Sequence, residues 1–365
     1  MAANLKDIYT LELITKIADD WKELLPELNS KDMVSAIMDE TWESLELRER
    51  MKHIAGVCYR GMNMDYPAAV ELMIEYAKNH KGFEYLFLPD MVEMYGQNDL
   101  KTSLYALKEL TKSSTGEFAI RTFLDQDYET CIEYLYELSK SDDVGVRRFA
   151  SEGSRMKLPW GKSVKRLIAQ PHDILRILNQ LKTDPHEYVK KSVANNINDM
   201  SKYYPDLVND TIELWQKEHN PHTNWIIKRG ARTLIKLGIV RTLELLGYTS
   251  DTLDCEVLDF SLSEDTVKMG GISNLSYCLK IQPKAETNIK VNLIMGFMKA
   301  NGKLSEKTFH LMDKKIYGTD EINGTKKYEW KDLTTRKHYP GLHTFTLTLN
   351  GTRLAETSIM LLDNN

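Results

Sequence analysis

The sequence lacks the side-chain groupings on which several enzyme classes depend. Its four cysteines, Cys58, Cys131, Cys255 and Cys278, lie far apart, so no CxxC pair offers a zinc site and a disulfide framework is not expected. The nine histidines form no HExxH motif and no cluster with cysteine. A GxxxxGK[ST] loop and a GxGxxG turn are also absent, which removes the usual basis for nucleotide hydrolysis and dinucleotide redox chemistry. We therefore expect neither a metal nor a cofactor.

Long apolar runs are missing as well. No stretch approaches the roughly 18 consecutive apolar residues that a membrane span needs. The first residues, Met-Ala-Ala-Asn-Leu-Lys-Asp, do not form a basic and then apolar export signal, so a cytoplasmic protein without membrane contact is expected. The 365 residues are 42% hydrophobic and 28% charged, which is ordinary for a globular protein of two or three domains.

Charge is distributed unevenly along the chain. The net charge of −5 consists of −11 over residues 1–140, +6 over 141–250 and 0 over 251–365. A polyanion attracted to the middle segment would be repelled by the N-terminal segment, which restricts how it docks. A chance fluctuation in solvated helix faces is the alternative interpretation.

A degenerate repeat runs through the helical first part of the chain. Asp143-Val-Gly-Val-Arg-Arg-Phe-Ala resembles Glu187-Tyr-Val-Lys-Lys-Ser-Val-Ala and Asn224-Trp-Ile-Ile-Lys-Arg-Gly-Ala, at offsets of 43 and 38 residues between Val146, Val189 and Ile227. This spacing predicts a solenoid of the HEAT or armadillo type over residues 1–248. In each copy two basic residues follow the aliphatic, which predicts a basic stripe on neighbouring helices: Arg147, Arg148, Lys190, Lys191, Lys228 and Arg229.

Residues 251–365 change to short alternating runs of the kind that form strands. Examples are Glu256-Val-Leu-Asp-Phe-Ser-Leu and His343-Thr-Phe-Thr-Leu-Thr-Leu. Four dipeptides are typical of turns between strands: Gly270-Gly271, Asn301-Gly302, Asn323-Gly324 and Asn350-Gly351. Roughly seven strands predict a small all-β immunoglobulin-like sandwich, so the whole chain is expected to be mainly α. The cysteine and tryptophan spacing of antibody domains is absent, and only the architecture is predicted.

Three acids on successive repeats form the candidate site. Glu152 lies among basic residues and is followed by Leu158-Pro159-Trp160, in a break between helices where an aromatic side chain is available to a ligand. In the next copy Asn195 occupies the position equivalent to Glu152, and Asp199 follows it. Glu117 opens an earlier and weaker copy. Stacked repeats could bring the three carboxylates to one concave face surrounded by positive charge.

Each of these residues also has a purely structural interpretation. Glu152 could pair with Arg148 or Arg155 on its own helix, and Asp199 could cap the following turn. Glu117 could complement a helix dipole, and Trp160 could fill a gap between helices. The basic doublets could be solvated faces. Recurrence at the repeat spacing favours the functional interpretation.

Four ordered motifs resemble the AlkC branch of the bacterial alkylpurine DNA glycosylases. They are Gly116-Glu-Phe-Ala-Ile-Arg, Val146-Arg-Arg-Phe-Ala-Ser-Glu-Gly-Ser-Arg with the later Leu-Pro-Trp, Tyr188-Val-Lys-Lys-Ser-Val-Ala-Asn-Asn-Ile-Asn-Asp, and Trp225-Ile-Ile-Lys-Arg-Gly-Ala-Arg. The resemblance covers roughly residues 1–248, and the family's Ig-like C-terminal domain corresponds in position to the β-rich tail. Where family members often carry paired arginines, this chain has Lys190-Lys191, which keeps the charge but loses bidentate phosphate geometry.

The resemblance implies hydrolysis of the N-glycosidic bond of cationic alkylated bases, of the N3-methyladenine and N3-methylcytosine class, in base excision repair. It implies a bacterial protein that acts as a monomer on double-stranded DNA in the nucleoid, with the damaged base left in the stack. By motif position, Glu117, Glu152 and Asp199 would be the catalytic acids. The expected substrate contacts are Trp160, Arg148, Arg155 and Asn195. The expected contacts to the DNA backbone are Arg147, Lys190, Lys191, Lys228, Arg229 and Arg232.

The chemistry of these residue types agrees with that assignment. A base that already carries positive charge leaves without a general acid, and the barrier lies in forming an oxocarbenium-like sugar that carboxylates stabilise. Basic ridges bind phosphates without reading sequence. Solenoids are more often binding surfaces than enzymes, so a non-catalytic scaffold for protein or nucleic acid is the alternative, and a DNA-structure binder that has lost catalysis is a third possibility.

Overall fold

The computed structural model describes residues 5–248, 253–334 and 336–363, with helices in the N-terminal part and strands in the remainder. Sixteen α-helices lie within the described residues: α1 Leu11–Leu24, α2 Ser30–Ile37, α3 Leu47–Met62, α4 Tyr66–Asn79, α5 Phe87–Tyr95, α6 Leu100–Leu110, α7 Ile120–Gln126, α8 Tyr128–Leu138, α9 Val144–Gly153, α10 Lys165–Ala169, α11 Pro171–Leu181, α12 Glu187–Met200, α13 Pro205–Gln216, α14 Pro221–Gly230, α15 Arg232–Leu237 and α16 Val240–Leu245.

Helices α9, α12 and α14 pack side by side and carry the three copies of the repeat. Local polar caps fix where they begin, because Asp143, His186 and Asn220 each accept a hydrogen bond from a backbone N–H of the first turn. The three aliphatic markers are buried between the helices: Val146, Val189 and Ile227. The predicted mainly α architecture with stacked helical repeats is confirmed.

Eight strands lie within the described C-terminal residues, one more than the sequence predicts. They are β1 Leu253–Leu262, β2 Thr266–Lys268, β3 Ile272–Pro283, β4 Thr287–Met298, β5 Leu304–Ile316, β6 Asp320–Glu329, β7 Gly341–Leu349 and β8 Thr352–Leu362. The order β1-β3-β6 forms one sheet and β2-β8-β7-β4-β5 forms the other. Apolar residues of both sheets share two core clusters, one around Phe345 and Trp330 and one around Leu279 and Leu347. The predicted immunoglobulin-like sandwich is confirmed.

One predicted turn of this sandwich is wrong. Asn323-Gly324 lies inside β6, where Gly324 is paired with Tyr277 of β3. A Cβ atom on Gly324 would lie 2.5 Å from the Tyr277 hydroxyl oxygen, so the glycine makes room for an aromatic neighbour and does not form a turn. Asn350-Gly351 does connect β7 to β8, with φ angles of 47° and 86° that suit a tight hairpin turn.

Packing divides the chain into two compact units. The first contains Met1–Tyr203 and His219–Gly230, and the second contains Tyr204–Glu218 and Ala231–Asn365. Helices α13, α15 and α16 therefore belong with the strands in the second unit, where the Thr242 hydroxyl of α16 donates a hydrogen bond of 2.7 Å to the Asn209 side chain of α13. The change from helix to strand comes after α16, and the domain limits of 248 and 251 stay a prediction.

Candidate active site

Three acidic side chains meet within the first unit. Glu117 lies in the turn before α7, Glu152 in the last turn of α9 and Asp199 in the last turn of α12. They are 4%, 6% and 3% exposed, respectively. Burial of three carboxylates in one region is unfavourable unless cations and hydrogen-bond donors accompany them, so the neighbouring groups define the site.

Arg155 joins two of the three acids directly. Its Nη1 donates to Oε1 of Glu152 at 2.6 Å, while Nε and Nη2 lie 2.8 and 2.7 Å from Oδ2 of Asp199. The Lys202 ammonium is 3.1 Å from Oδ1 of Asp199. Carboxylates from neighbouring repeats therefore face the same guanidinium, and the Asp199 carboxylate is directed to Arg155 and Lys202 and does not cap the turn that follows α12.

Arg148 holds the third acid and connects it to the other two. Its Nη1 and Nη2 donate to the two carboxylate oxygens of Glu117 at 2.7 and 3.1 Å, which is a bidentate pair. Nη1 also donates to the Thr115 hydroxyl at 2.6 Å, and Nη2 lies 3.8 Å from Oε1 of Glu152. The ring of Tyr188 covers the guanidinium, with 4.9 Å between its centroid and Cζ.

The electrostatics of the cluster depend on burial and on these pairings. Burial raises the pKa of the Glu117 carboxyl, and Arg148 opposes the rise. For Arg148 burial acts to lower the pKa, but the carboxylates of Glu117 and Glu152 outweigh it and raise the pKa. The pKa of Arg155 is raised in the same way against burial, by Glu152 and Asp199. Both arginines thus stay charged at neutral pH and balance the acids.

Polar residues absent from the sequence-based prediction complete the network. The Ser192 hydroxyl donates to Oε2 of Glu152 at 2.5 Å and lies 2.9 Å from the Ser151 hydroxyl. Asn196 donates to the Ser151 carbonyl at 2.8 Å, whereas the predicted Asn195, one residue earlier, is half-buried. The spacing of Ser192, Asn196 and Asp199 puts them on one face of α12, and that periodicity is the signal that could have identified them.

Trp160 lies in the loop between α9 and α10. Its side chain is 62% exposed, so it does not fill a gap between helices. The φ angle of Trp160 is 63°, a left-handed conformation that is unfavourable for any residue except glycine and that neighbouring contacts must maintain. The loop therefore presents an aromatic ring to solvent in a fixed backbone geometry.

The predicted backbone-binding cations differ in how accessible they are. Arg147 is engaged within the protein, because its Nε donates to Asp184 at 2.6 Å and its Nη1 donates to the carbonyls of Asp142 and Ser141. Lys190 is half-buried, with its ammonium 5.4 Å from the ring centroid of Trp225. The remaining four are exposed: Lys191, Lys228, Arg229 and Arg232, of which Arg232 belongs to the second unit.

The described part of the chain contains neither a metal-binding cluster nor a membrane-spanning helix. Residues 5–248, 253–334 and 336–363 contain no group of three or more histidine, cysteine, aspartate or glutamate side chains arranged to hold a metal ion. The same ranges contain no helix with the length and apolar character needed to cross a membrane.

Comparison with known proteins identifies the family. Residues 30–234 match the model of the DNA alkylation repair enzyme family, and this segment contains all three acids. The chain belongs to that family. Residues 256–363 match a second model, described as the C-terminal Ig-like domain of the uncharacterised protein YhaZ.

Two relatives of this family member cover nearly its whole length. The uncharacterized protein YhaZ of Bacillus subtilis (strain 168) is 36% identical over 350 residues, which is 96% of this chain and 97% of YhaZ. The Pseudomonas fluorescens alkylpurine DNA glycosylase AlkC, solved bound to DNA that contains an abasic site analog, is 33% identical, covers 99% of both chains and superimposes with a TM-score of 0.82. The fold of a solenoid followed by an Ig-like domain is therefore common to this chain and AlkC.

Proposed function

We propose that this member of the alkylation repair family is a DNA glycosylase that hydrolyses the N-glycosidic bond of cationic alkylated bases in duplex DNA. The observation that carries the proposal is the network in which Arg155 joins Glu152 and Asp199 inside a solenoid. Its support from comparison is the full-length similarity to AlkC, whose bound DNA holds an analog of the product of base release.

The proposed reaction needs negative charge near the sugar and little else. A base alkylated at N3 is already cationic, so its departure requires no proton donor, and the electron pair of the glycosidic bond leaves with it. The sugar becomes oxocarbenium-like, and carboxylates held in place by Arg155 stabilise it and orient a water molecule. The water oxygen bonds to C1′, and a carboxylate takes up the proton that the water loses. We propose that the base stays in the stack, because its departure needs no proton donor and therefore no pocket that would supply one.

The surrounding residues have separate proposed roles. Arg148 and Arg155 hold the acids, since their donors are directed to carboxylates within the protein. Trp160 contacts the damaged nucleotide from its exposed loop, and Asn195 contacts the substrate from α12. The exposed cations bind phosphates, which would make duplex affinity fall with increasing salt. These cations are Lys191, Lys228, Arg229 and Arg232.

Base release from methylated duplex DNA tests the function. Full-length protein in excess over duplexes carrying N3-methyladenine or N3-methylcytosine should release the free base in a single turnover and leave an abasic site. The non-catalytic scaffold predicts salt-sensitive duplex binding without release of any base. Absence of release from every methylated duplex, with binding retained, would favour the scaffold.

Glu117→Gln is expected to make the rate of base release less dependent on pH in the acid range. Glutamine resembles the protonated carboxyl and weakens the pair with Arg148, so we expect a single-turnover rate about 10-fold lower at neutral pH. Because burial raises the pKa of Glu117, the wild-type carboxyl takes up a proton at a higher pH than an ordinary glutamate. The wild-type rate should therefore fall towards the variant rate as the pH is lowered, and a pH profile from 5 to 8 in about half-unit steps would show this.

The matched control is Glu133→Gln, which removes an exposed carboxylate that pairs with Arg176 at 2.6 Å. This control should keep both the rate and the pH profile of the wild type. Equal rates for Glu117→Gln and wild type at neutral pH would remove Glu117 from the site.

A further inference from the structure

Arg121 is a buried cation with no acidic side chain in direct contact, although the negative charge of Asp199 acts on it at longer range. Arg121 lies in the first turn of α7 and is fully buried, with 0% of its surface exposed. It forms no ion pair with any described acidic side chain. Its Nη1 donates to the carbonyl oxygens of Arg155 at 2.9 Å and Gly153 at 3.4 Å, and its Nε donates to the carbonyl of Lys162. All its hydrogen-bond acceptors are backbone carbonyl groups.

A charged group in this setting is costly for stability. Burial lowers the pKa of Arg121 to about 10, repulsion from Arg155 contributes to the fall, and the group is still protonated at neutral pH. An apolar residue of similar volume is often as good or better for stability at a buried charged position. The hydrogen bonds to the loop therefore distinguish arginine from an apolar residue at this position.

The three carbonyls belong to the two ends of one loop. Gly153 ends α9, Arg155 follows at the start of the loop, and Lys162 lies two residues after Trp160. The loop is also packed closely against the arginine, because a Cβ atom on Gly161 would lie 3.1 Å from Arg121 Cδ and 2.9 Å from a Leu158 methyl carbon. One side chain thus fixes the backbone of Arg155, which joins two acids, and the backbone beside Trp160.

We propose that Arg121 is a positioning residue that clamps both ends of the 154–164 loop and so holds Trp160 in place relative to Glu152 and Asp199. The expected effect of Arg121 on the rate of base release rests on the proposed glycosylase function, whereas its effect on the position of the loop does not. Arg121 contacts no substrate in this proposal and acts through the loop.

Arg121→Lys tests the clamp because lysine keeps the charge and loses the planar fork that reaches carbonyls on two sides. With 5-fluorotryptophan in the full-length protein, Trp160→Phe assigns the fluorine resonance of the exposed indole. We expect Arg121→Lys to shift or broaden that resonance and to lower the single-turnover rate of base release about 10- to 100-fold, since small misplacements of site groups reduce rates by such factors. Affinity for abasic duplex DNA should change less than about 3-fold, because the exposed cations are unaltered.

Two further variants separate positioning from general stability. Arg50→Lys alters another buried arginine, whose Nη1 donates to the Lys6 carbonyl at 3.2 Å, and it should lower the melting temperature without moving the Trp160 resonance or the rate. Gly161→Ala keeps Arg121 but crowds the loop against it, so it should reproduce the changes at Trp160 and in rate. It also provides the test on a folded protein if Arg121→Lys does not accumulate in folded form.

The Trp160 fluorine resonance and the rate of base release test different parts of the proposal. An unchanged Trp160 resonance in Arg121→Lys, or an altered resonance with an unchanged rate, would each overturn the positioning role. If the wild type releases no base, the proposed function fails, and the fluorine resonance alone still decides whether Arg121 holds the loop.

Discussion

Asp199→Asn is expected to reduce the single-turnover rate of base release by about 100- to 1000-fold, the usual effect of removing one electrostatic contact to a developing charge. Asparagine preserves the shape of the side chain, and its single carbonyl oxygen can still accept from Arg155, while its amide NH2 replaces the oxygen that faces Lys202. It lacks the negative charge that stabilises an oxocarbenium-like sugar, so the loss should be in the chemical step. Affinity for duplex DNA with an abasic site should be retained or increase, because one repulsive charge is removed.

The matched control is Asp210→Asn, an exposed aspartate that pairs with Arg241 at 2.6 Å in the second unit. It should release base at the wild-type rate. Since a surface ion pair contributes at most about 1 kcal/mol, its stability should also change little. Wild-type rates for Asp199→Asn, measured by release of N3-methyladenine under excess enzyme, would remove Asp199 from the proposed mechanism.

The stacked-helix architecture can be predicted from local sequence patterns, namely polar helix caps and the spacing of aliphatic residues. Asp143 and Asn220 are polar caps before apolar helices, and the aliphatic markers recur at the spacing of a helical repeat, so the stacking of α9, α12 and α14 is predictable. Gly324 shows the limit of this approach. The same Asn-Gly dipeptide serves as a hairpin turn or as a space for an aromatic neighbour, and only the cross-strand register of Tyr277 decides between them.

The candidate site is predictable in its acids and less so in its cations. The repeat places Glu152 and Asp199 at corresponding ends of neighbouring helices, which is enough to predict that they approach each other. Consecutive helical residues point about 100° apart, so Arg147 faces Asp184 while Arg148 faces Glu117. The sequence of the doublet alone does not show which arginine meets which acid. Arg121 is even less visible, since its function in the structure is set by carbonyls of a loop 30 or more residues away in sequence.

The structural interpretation of Glu152 as half of an ion pair on its own helix describes its geometry correctly but does not explain its burial. Glu152 does pair with Arg155 three residues later, as an ordinary helix would allow. A surface pair of this kind would be exposed, whereas Glu152 and Arg155 are both nearly buried. Arg155 also pairs with Asp199 on a neighbouring helix. Such a network contributes little to stability compared with apolar packing, so a requirement for fixed negative charge gives the better physical reason for it.

Arg155→Met separates the stability of this network from its function. Removing the guanidinium leaves Glu152 and Asp199 nearly buried without their shared cation, and loss of one partner of a buried ion pair usually destabilises by about 3–5 kcal/mol. We expect a loss of that size in the free energy of unfolding of the first unit, measured by urea denaturation, together with loss of base release. Lys202 and Arg148 compensate only part of the charge, since Lys202 lies 3.1 Å from Asp199 and Arg148, which is paired with Glu117, lies 3.8 Å from Glu152.

Neutralising the acids in the same variant should restore most of the lost stability without restoring activity. In the triple variant Glu152→Gln, Arg155→Met, Asp199→Asn no carboxylate of this pair remains buried and unpaired, and Ser192 can still hydrogen bond to residue 152. A triple variant that is stable and inactive would show that the fold tolerates a neutral site and that the reaction requires the charge. If Arg155→Met alone is as stable as the wild type, the two acids are compensated by solvent and the buried network does not hold them.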